Sequence, residues 1–173
     1  LNADGGLLSP EINAVEKISQ QLIQVSGRAG RNNNLAKVVI QTRYPNDLNL
    51  KQIKTGDYQL VADQCLKINK AIGMPPYSTV SILRVTSPNH QSCIKFLDKV
   101  SNLLDNKKNI TIIGPLPSIP LKIKGNTRNH LIIKTNTKTY MNRILKFLTG
   151  EIQTWPETKK VKWGYDIDPH DMS

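Results

Sequence analysis

The feature that most restricts the fold is an alternation of strand-like and helix-like hydrophobic patterns between residues 79 and 167. Four segments have the pattern of strands: residues 79–85, 110–113, 130–134 and 161–167. In two intervening segments, apolar residues recur at spacings of three and four, which predicts helices: Cys93, Leu97, Val100 and Leu104, and then Met141, Ile144, Leu148, Ile152 and Trp155. The order strand–helix–strand–strand–helix–strand predicts a ferredoxin-like, split βαβ domain.

Two details of this region concern its loops. We expect the second strand to end at Gly114-Pro115, because proline has no amide hydrogen to donate to a neighbouring strand. Residues 122–128 are rich in basic side chains and contain glycine, and they are expected to form a basic turn before the third strand.

The first part of the chain has a different pattern. Ser9-Pro10-Glu11 combines an N-cap serine, a proline at the first helical position and an acid in the first turn, which predicts the start of a helix. An apolar stripe from Ile12 to Val25 continues this helix, and Gly27 is expected to end it. Residues 37–42 then have the apolar composition of a buried strand.

Two further helices are expected before the split βαβ region. Residues 47–54 predict a short helix, and Gly56-Asp57 begins a longer one that stops at Gly73. Pro75-Pro76 prevents its continuation. We therefore place a domain boundary near residue 72, between an α/β part at residues 1–72 and an α+β part at residues 73–173.

The stretch Gln24-Val25-Ser26-Gly27-Arg28-Ala29-Gly30-Arg31 suggests a role at a phosphate. Glycine allows the backbone to approach a ligand closely, and arginine offers a rigid fork of donors that matches phosphate oxygens. A glycine-capped helix end with solvated arginines is the simpler interpretation of a single Gly-Arg pair. The doubled pair, with Gln24 three residues ahead of the first glycine, favours the phosphate interpretation.

The pattern Q-x-x-G-R-x-G-R resembles motif VI of superfamily 2 helicases, which supplies arginine fingers to an ATP site. Other stretches resemble one branch of that superfamily, the bacterial replication-restart (primosomal) helicases: Leu1-Asn2-Ala3-Asp4, Leu8-Ser9-Pro10, Gly73-Met74-Pro75-Pro76-Tyr77 and Asp166-Ile167-Asp168-Pro169-His170-Asp171-Met172. The resemblance covers all of this chain but only the C-terminal quarter or so of the family's length. The chain is therefore expected to be a piece of a longer protein.

The resemblance assigns a part to each half of the chain. Residues 1–72 would be the closing piece of the second RecA-like lobe, and residues 73–173 a ferredoxin-like C-terminal domain. Arg28 and Arg31 would act as arginine fingers, while Gln24 helps to fix the loop between the lobes. ATP and Mg²⁺ would be bound in the full-length protein, since this chain has no G-x-x-x-x-G-K-[ST] phosphate loop. This part alone should not hydrolyse ATP.

No metal site or nucleophile is predicted within the chain. The family's zinc-binding cysteines lie upstream, and Cys65 and Cys93 are expected to be buried free thiols. His90, His130 and His170 are isolated from one another in sequence and are expected at the surface or at strand edges. We expect this chain to bind no cofactor by itself.

Positive charge is concentrated in the second half of the chain. The net charge is +11, and residues 71–173 contribute +8 of it. Residues 106–150 contain no acidic residue. A surface that carries only positive charge attracts polyanions. The expected nucleic-acid contacts are Lys107, Lys108, Lys122, Lys124 and Arg128. Few aromatic residues are available for stacking, which favours recognition of duplex or branched DNA through its phosphates.

The resemblance also implies protein partners. In replication-restart helicases, the second helix of the C-terminal domain receives the acidic tail of single-stranded-DNA-binding protein. The matching positions are Lys138 and Asn142, where the family pattern has arginine and glutamine, so bidentate capture of a carboxylate is weakened. Other primosome proteins would be further partners.

The resulting hypothesis is the C-terminal part of a cytoplasmic, ATP-dependent DNA helicase that recognises stalled forks and starts primosome assembly. The alternative is a non-catalytic, basic nucleic-acid-binding adaptor with a ferredoxin-like domain. The doubled Gly-Arg stretch favours the helicase, because an adaptor has no use for it. A membrane role is not expected, since no apolar run approaches the roughly 20 residues of a span.

Overall fold

A computed structural model describes residues 3–7, 9, 13–29, 38–170 and 172. The chain divides into two units, Leu1–Ile72 and Gly73–Ser173, which are described separately below. No described helix is both long and apolar enough to cross a membrane.

The described residues of the first unit form helices, connected by loops. Their bounds are α1 Ala3–Leu7, α2 Ala14–Ala29, α3 Leu48–Ile53 and α4 Tyr58–Ile72. The α3 helix was expected, and its N-terminus is capped by Asp47, whose carboxylate accepts hydrogen bonds from the amides of Asn49 and Leu50. A small apolar core joins the helices: Ala3, Ile18, Leu22, Leu50, Ile53 and Val61.

The strand expected at residues 37–42 is not present in its described part. Residues 38–40 have no regular structure and Gln41 forms a single bridge, while residue 37 lies outside the described residues. Val39 is 77% exposed. A strand needs a neighbour to satisfy its backbone groups, and the described residues of this unit contain no strand to pair with. The α/β lobe expected here is therefore not confirmed.

One further expectation for this unit is wrong. Gly27 does not end α2, which continues to Ala29. Nothing lies within 4 Å of a Cβ built on Gly27, so this glycine sits on an open helix face. The residues after Ala29 up to residue 37 lie outside the described residues.

The second unit has the predicted order of strands and helices. Its elements are β1 Thr79–Ser87, α5 His90–Leu104, β2 Ile110–Ile123, β3 Asn126–Thr135, α6 Lys138–Gln153, a short 3-10 helix Pro156–Lys160 and β4 Lys162–Ile167. The four strands form one sheet in the order β2-β3-β1-β4, with antiparallel neighbours throughout. This α+β arrangement confirms the fold class predicted for residues 73–173.

The main core lies between α5, α6 and one face of the sheet. Leu83, Leu131 and Ile133 point to the helices, where Phe96 and Leu148 are fully buried. The alternate strand residues, Val80, Ile82 and Ile132, form a smaller cluster on the opposite face with Met74, Leu116 and Met172 packed against it. Both faces of the sheet therefore carry apolar side chains, as the period of two in a strand requires.

The second strand is much longer than the sequence predicts. It continues through Gly114 to Ile123 and pairs with β3, with register shifts between Ile113 and Leu116 and between Pro117 and Lys122. Gly114 has a φ of 121°. A Cβ at this position would lie only 3.0 Å from the carbonyl oxygen of His130. The first register shift therefore needs a glycine. The prolines lie on an edge strand, where missing amide hydrogens are tolerated.

Candidate nucleic-acid and partner-binding sites

The first candidate group lies at the C-terminal end of α2. Gln24 and Arg28 are exposed and stand four residues apart in the helix, hence on one face. Neither side chain makes a hydrogen bond or ion pair with the described residues. Arg31, the second expected arginine finger, lies outside the described residues. Arg28 is thus available to a phosphate brought to this helix end by another part of a protein.

The Asp4 carboxylate is hydrogen-bonded and has a structural role. It accepts a hydrogen bond of 2.5 Å from the hydroxyl of Thr42 and one of 3.0 Å from the amide of Arg43. The bond from Thr42, helped by that from Arg43, lowers the pKa of the Asp4 carboxyl from its ordinary value. The carboxylate therefore ties α1 to the segment before α3.

No metal site is found in the described part of the chain. It contains no group of three or more His, Cys, Asp or Glu residues placed to hold a metal ion. Cys93 is buried and Cys65 half-buried, and burial raises the pKa of both thiols. A raised pKa keeps them protonated and unreactive at neutral pH.

His130 contradicts the expectation that every histidine lies at the surface or at a strand edge. It is 3% exposed in β3, a central strand, and its Nδ1 lies 3.1 Å from the Ser118 hydroxyl of β2. The pairing between strands provides this partner, and pairing cannot be read from the position of a histidine in the sequence.

The expected basic turn is a tight hairpin tip. Lys124 and Gly125 form a two-residue turn with φ values of 48° and 78°, the left-handed conformations of a type I′ turn. Lys122 therefore belongs to β2 and Arg128 to β3, rather than to a loop. Lys122 and Lys124 are exposed, and the Arg128 guanidinium donates to the carbonyl oxygen of Pro120 at 3.5 Å. These three cations form what we call the hairpin-tip group.

Lys107 and Lys108 are not part of the hairpin-tip group. They lie in the connection between α5 and β2, directly before the strand begins at Ile110. The tip lies beyond its other end at Ile123. The five predicted DNA contacts therefore form two separate basic groups.

The predicted partner positions Lys138 and Asn142 lie on the first turns of α6. Both are exposed. The Lys138 ammonium forms an ion pair of 3.1 Å with the Asp168 carboxylate, so an acidic partner would compete with an internal carboxylate there.

A surface that sequence reasoning missed lies next to Lys107 and Lys108. Tyr140, Arg143 and Phe147 of α6 line a pocket together with these two lysines. The spacing of three and four on the helix was a visible signal that these side chains share a face. Their contact with the α5–β2 connection, however, is tertiary and leaves no trace in the sequence pattern.

Comparison with known proteins gives concordant matches. A family model described as the primosomal protein N C-terminal domain matches residues 70–170. Curated proteins called replication restart protein PriA match nearly the whole chain. The protein of Haemophilus influenzae is 26% identical, covering 100% of this chain and 24% of its own length. That of Rickettsia prowazekii is 32% identical, with 98% and 26% covered. That of Bacillus subtilis is 29% identical, with 99% and 22% covered.

The chain spans about a quarter of the length of these relatives. Among solved structures, the de novo designed protein Foldit4 has a TM-score of 0.41 at 12% identity, covering 53% of this chain and 97% of that chain. A likeness of this size carries no argument about function.

Proposed function

Because this chain belongs to the primosomal protein N C-terminal domain family, we propose that it is the C-terminal part of an ATP-dependent DNA helicase. The helicase recognises stalled replication forks in the cytoplasm and initiates primosome assembly for replication restart. Restart of replication is the role that the names of these relatives state. The helicase activity follows from the resemblance of residues 24–31 to motif VI.

In this proposal, residues 1–72 complete a RecA-like lobe and present arginine fingers to ATP held elsewhere. Arg28 and Arg31 stabilise the charge on the transferred phosphoryl group, and Gln24 helps to hold them. The exposure of Arg28 and its lack of an ion pair among the described residues support this role. In the same proposal, ATP and Mg²⁺ bind, and the family's zinc module lies, in a part of the full-length protein outside this chain.

The contribution of residues 73–173 is to bind DNA. The observation that carries this part of the proposal is the run of residues 106–150, which has no acidic residue and folds into the β2–β3 hairpin and most of α6. The hairpin-tip group places cations on both strands beside an exposed turn. Such a ribbon can follow a phosphate backbone without reading base edges.

Fluorescence anisotropy with a labelled fork DNA tests this binding. Replacing Lys122, Lys124 and Arg128 together with alanine is expected to weaken binding and to flatten its salt dependence. If each cation contacts one phosphate, the slope of log K against log salt falls by up to about 2.7. Forks of equal shape and different sequence should bind the unaltered chain equally.

A matched control removes the same charge elsewhere. Lys51, Lys54 and Lys67 are exposed in the first unit, and their joint replacement with alanine leaves the same net charge as the hairpin-tip variant. The proposal requires that this control keeps the original salt slope. Equal losses of DNA affinity in both variants would show that binding depends on net charge alone and would contradict the proposal.

The family resemblance adds a protein partner to this function. We propose that the acidic tail of single-stranded-DNA-binding protein contacts Lys138 and Asn142, and that other primosome proteins bind the same complex. The tail would have to displace the Asp168 carboxylate from Lys138. Lysine and asparagine at these positions predict a weaker contact than the arginine and glutamine of the family pattern.

A further inference from the structure

The face of α6 that carries Tyr140, Arg143 and Phe147 forms a pocket with the α5–β2 connection. Its lining residues are Lys107, Lys108, Tyr140, Arg143, Ile144 and Phe147, and its volume is about 340 Å³. The Tyr140 hydroxyl donates a hydrogen bond of 3.0 Å to the Lys108 carbonyl oxygen, which ties the helix to the connection. We call this concavity the α6 pocket.

The α6 pocket combines an apolar floor with a cationic rim. Ile144 is 4% exposed and Phe147 is 37% exposed, so an apolar surface remains open to solvent between them. The Lys107 ammonium lies 4.3 Å from the centre of the Phe147 ring. Lys108 and Arg143 are exposed.

Within the part of the chain that the structure describes, no carboxylate neutralises these three cations. No Asp or Glu of the described residues forms an ion pair with Lys107, Lys108 or Arg143. The sequence around them, residues 106–150, contains no acidic residue at all. The rim is therefore complementary to a partner that brings its own negative charges.

We propose that the α6 pocket binds an acidic peptide segment of a partner protein, with one bulky apolar side chain entering the pocket and carboxylates meeting Lys107, Lys108 and Arg143. The apolar floor supplies the area for the anchoring side chain. The arginine can hold a carboxylate through two parallel hydrogen bonds.

The geometry favours a peptide over a nucleic-acid base. A base would stack on an open ring face, but the Lys107 ammonium already covers one face of Phe147. The Tyr140 hydroxyl is engaged with the α5–β2 connection, which holds that ring against the protein. An aliphatic or aromatic side chain needs neither a free ring face nor a hydrogen bond from the floor.

The α6 pocket is distinct from the surface formed by Lys138 and Asn142. At 3.6 residues per turn, those two residues and the pocket residues Tyr140, Arg143 and Phe147 lie on opposite sides of the buried stripe of α6. The inference rests on the pocket alone and does not depend on the proposed helicase function.

The test uses the complete chain and a synthetic probe. The probe is a fluorescein-labelled peptide, amidated at its C-terminus, in which a run of aspartates flanks one phenylalanine; a matched probe has alanine in place of the phenylalanine. The phenylalanine probe should bind about tenfold more tightly than the alanine probe, because only the former buries an apolar side chain. Amide resonances of Lys108, Tyr140 and Phe147 should shift on titration.

Variants of exposed residues locate the site without threatening the fold. Arg143→Glu should weaken binding of the phenylalanine probe about tenfold or more, and Phe147→Ala should abolish the difference between the two probes. Lys146→Glu is the matched control, because it makes the same charge change on the same helix at an exposed residue outside the pocket. It should change the affinity by less than about twofold.

Three results would overturn the proposal. Equal affinities for the two probes would show a charge effect without an anchor. An equal loss in Lys146→Glu and Arg143→Glu would show attraction to the whole helix. A single-stranded oligonucleotide that shifts the same resonances and displaces the peptide at lower concentration would assign the pocket to nucleic acid.

Discussion

Arg28 is a cation at the end of a helix, with no ion-pair partner among the described residues. Its side chain is exposed in the last turn of α2. A lone arginine at this position also stabilises the helix, since the C-terminal end carries partial negative charge. If Arg28 only stabilises the helix, its removal lowers stability. If it is an arginine finger, its removal lowers the rate of ATP hydrolysis.

In the complete protein, Arg28→Ala and Arg31→Ala are each expected to lower ATP turnover about a thousandfold or more. The physical reason is loss of charge stabilisation at the transferred phosphoryl group, and fork binding should stay within about twofold because the DNA contacts lie elsewhere. Steady-state ATP hydrolysis and fork anisotropy, measured on the same preparations, check both parts.

Lys54→Ala serves as the control for a lost cation in the same unit, and it should hydrolyse ATP at the normal rate. If Arg28→Ala and Arg31→Ala also hydrolysed ATP at the normal rate, the arginine-finger role would be removed, and a non-catalytic adaptor would become the better description.

The β2–β3 hairpin is the element that carries the hairpin-tip group of the second unit. Its tip depends on Lys124 and Gly125, which both have positive φ. Lysine tolerates this conformation at a cost, whereas glycine has no Cβ to clash. The tip residues thus set the twist and register of the ribbon on which Lys122 and Arg128 stand.

We expect Gly125→Ala to destabilise the chain by about 1–2 kcal/mol, because alanine must adopt the left-handed conformation of the turn. Gly150→Ala should act in the opposite direction. Gly150 lies within α6 with nothing within 4 Å of a built Cβ, so alanine there is expected to stabilise by about 0.5–1 kcal/mol. Denaturant unfolding of both variants measures the two effects, and a Gly125→Ala protein as stable as the original would contradict the assigned turn.

At the scale of the whole chain, large apolar side chains are exposed in both units. The first unit exposes large hydrophobic residues on several of its segments, among them Val39 at 77%, Leu48 at 65% and Ile68 at 48%. Along α4, Val61 is buried, whereas Ile68 and Ile72 are exposed. Exposed apolar surface of this kind favours association with another protein surface.

We therefore expect the isolated chain to self-associate through residues 1–72 as its concentration rises. Joint replacement of Val39, Leu48 and Ile68 with lysine should shift the sedimentation profile toward monomer, because it removes apolar surface and adds charge. The charge-matched control replaces Gln21, Asn46 and Ala71 with lysine, all at exposed positions without a large apolar side chain. Equal dissociation in both variants would attribute the effect to repulsion alone, and a monomeric original chain would contradict the expectation.

The sequence by itself determined the order of elements in the second unit. The apolar spacing in α5 and α6 records which face of each helix is buried, and this information is local. The basic character of residues 106–150 was also determined by the sequence, because charged residues can be counted without a structure.

Pairing and packing between distant residues were decided only by the tertiary structure. Pairing with β3 continues β2 past Gly114 and buries His130, while residues 38–42 have no neighbouring strand among the described residues. The fold separated Lys107 from the hairpin tip and set it beside Phe147. The physical reason is that a backbone hydrogen bond or a pocket needs two segments to meet, and the local pattern of either segment describes only one of them.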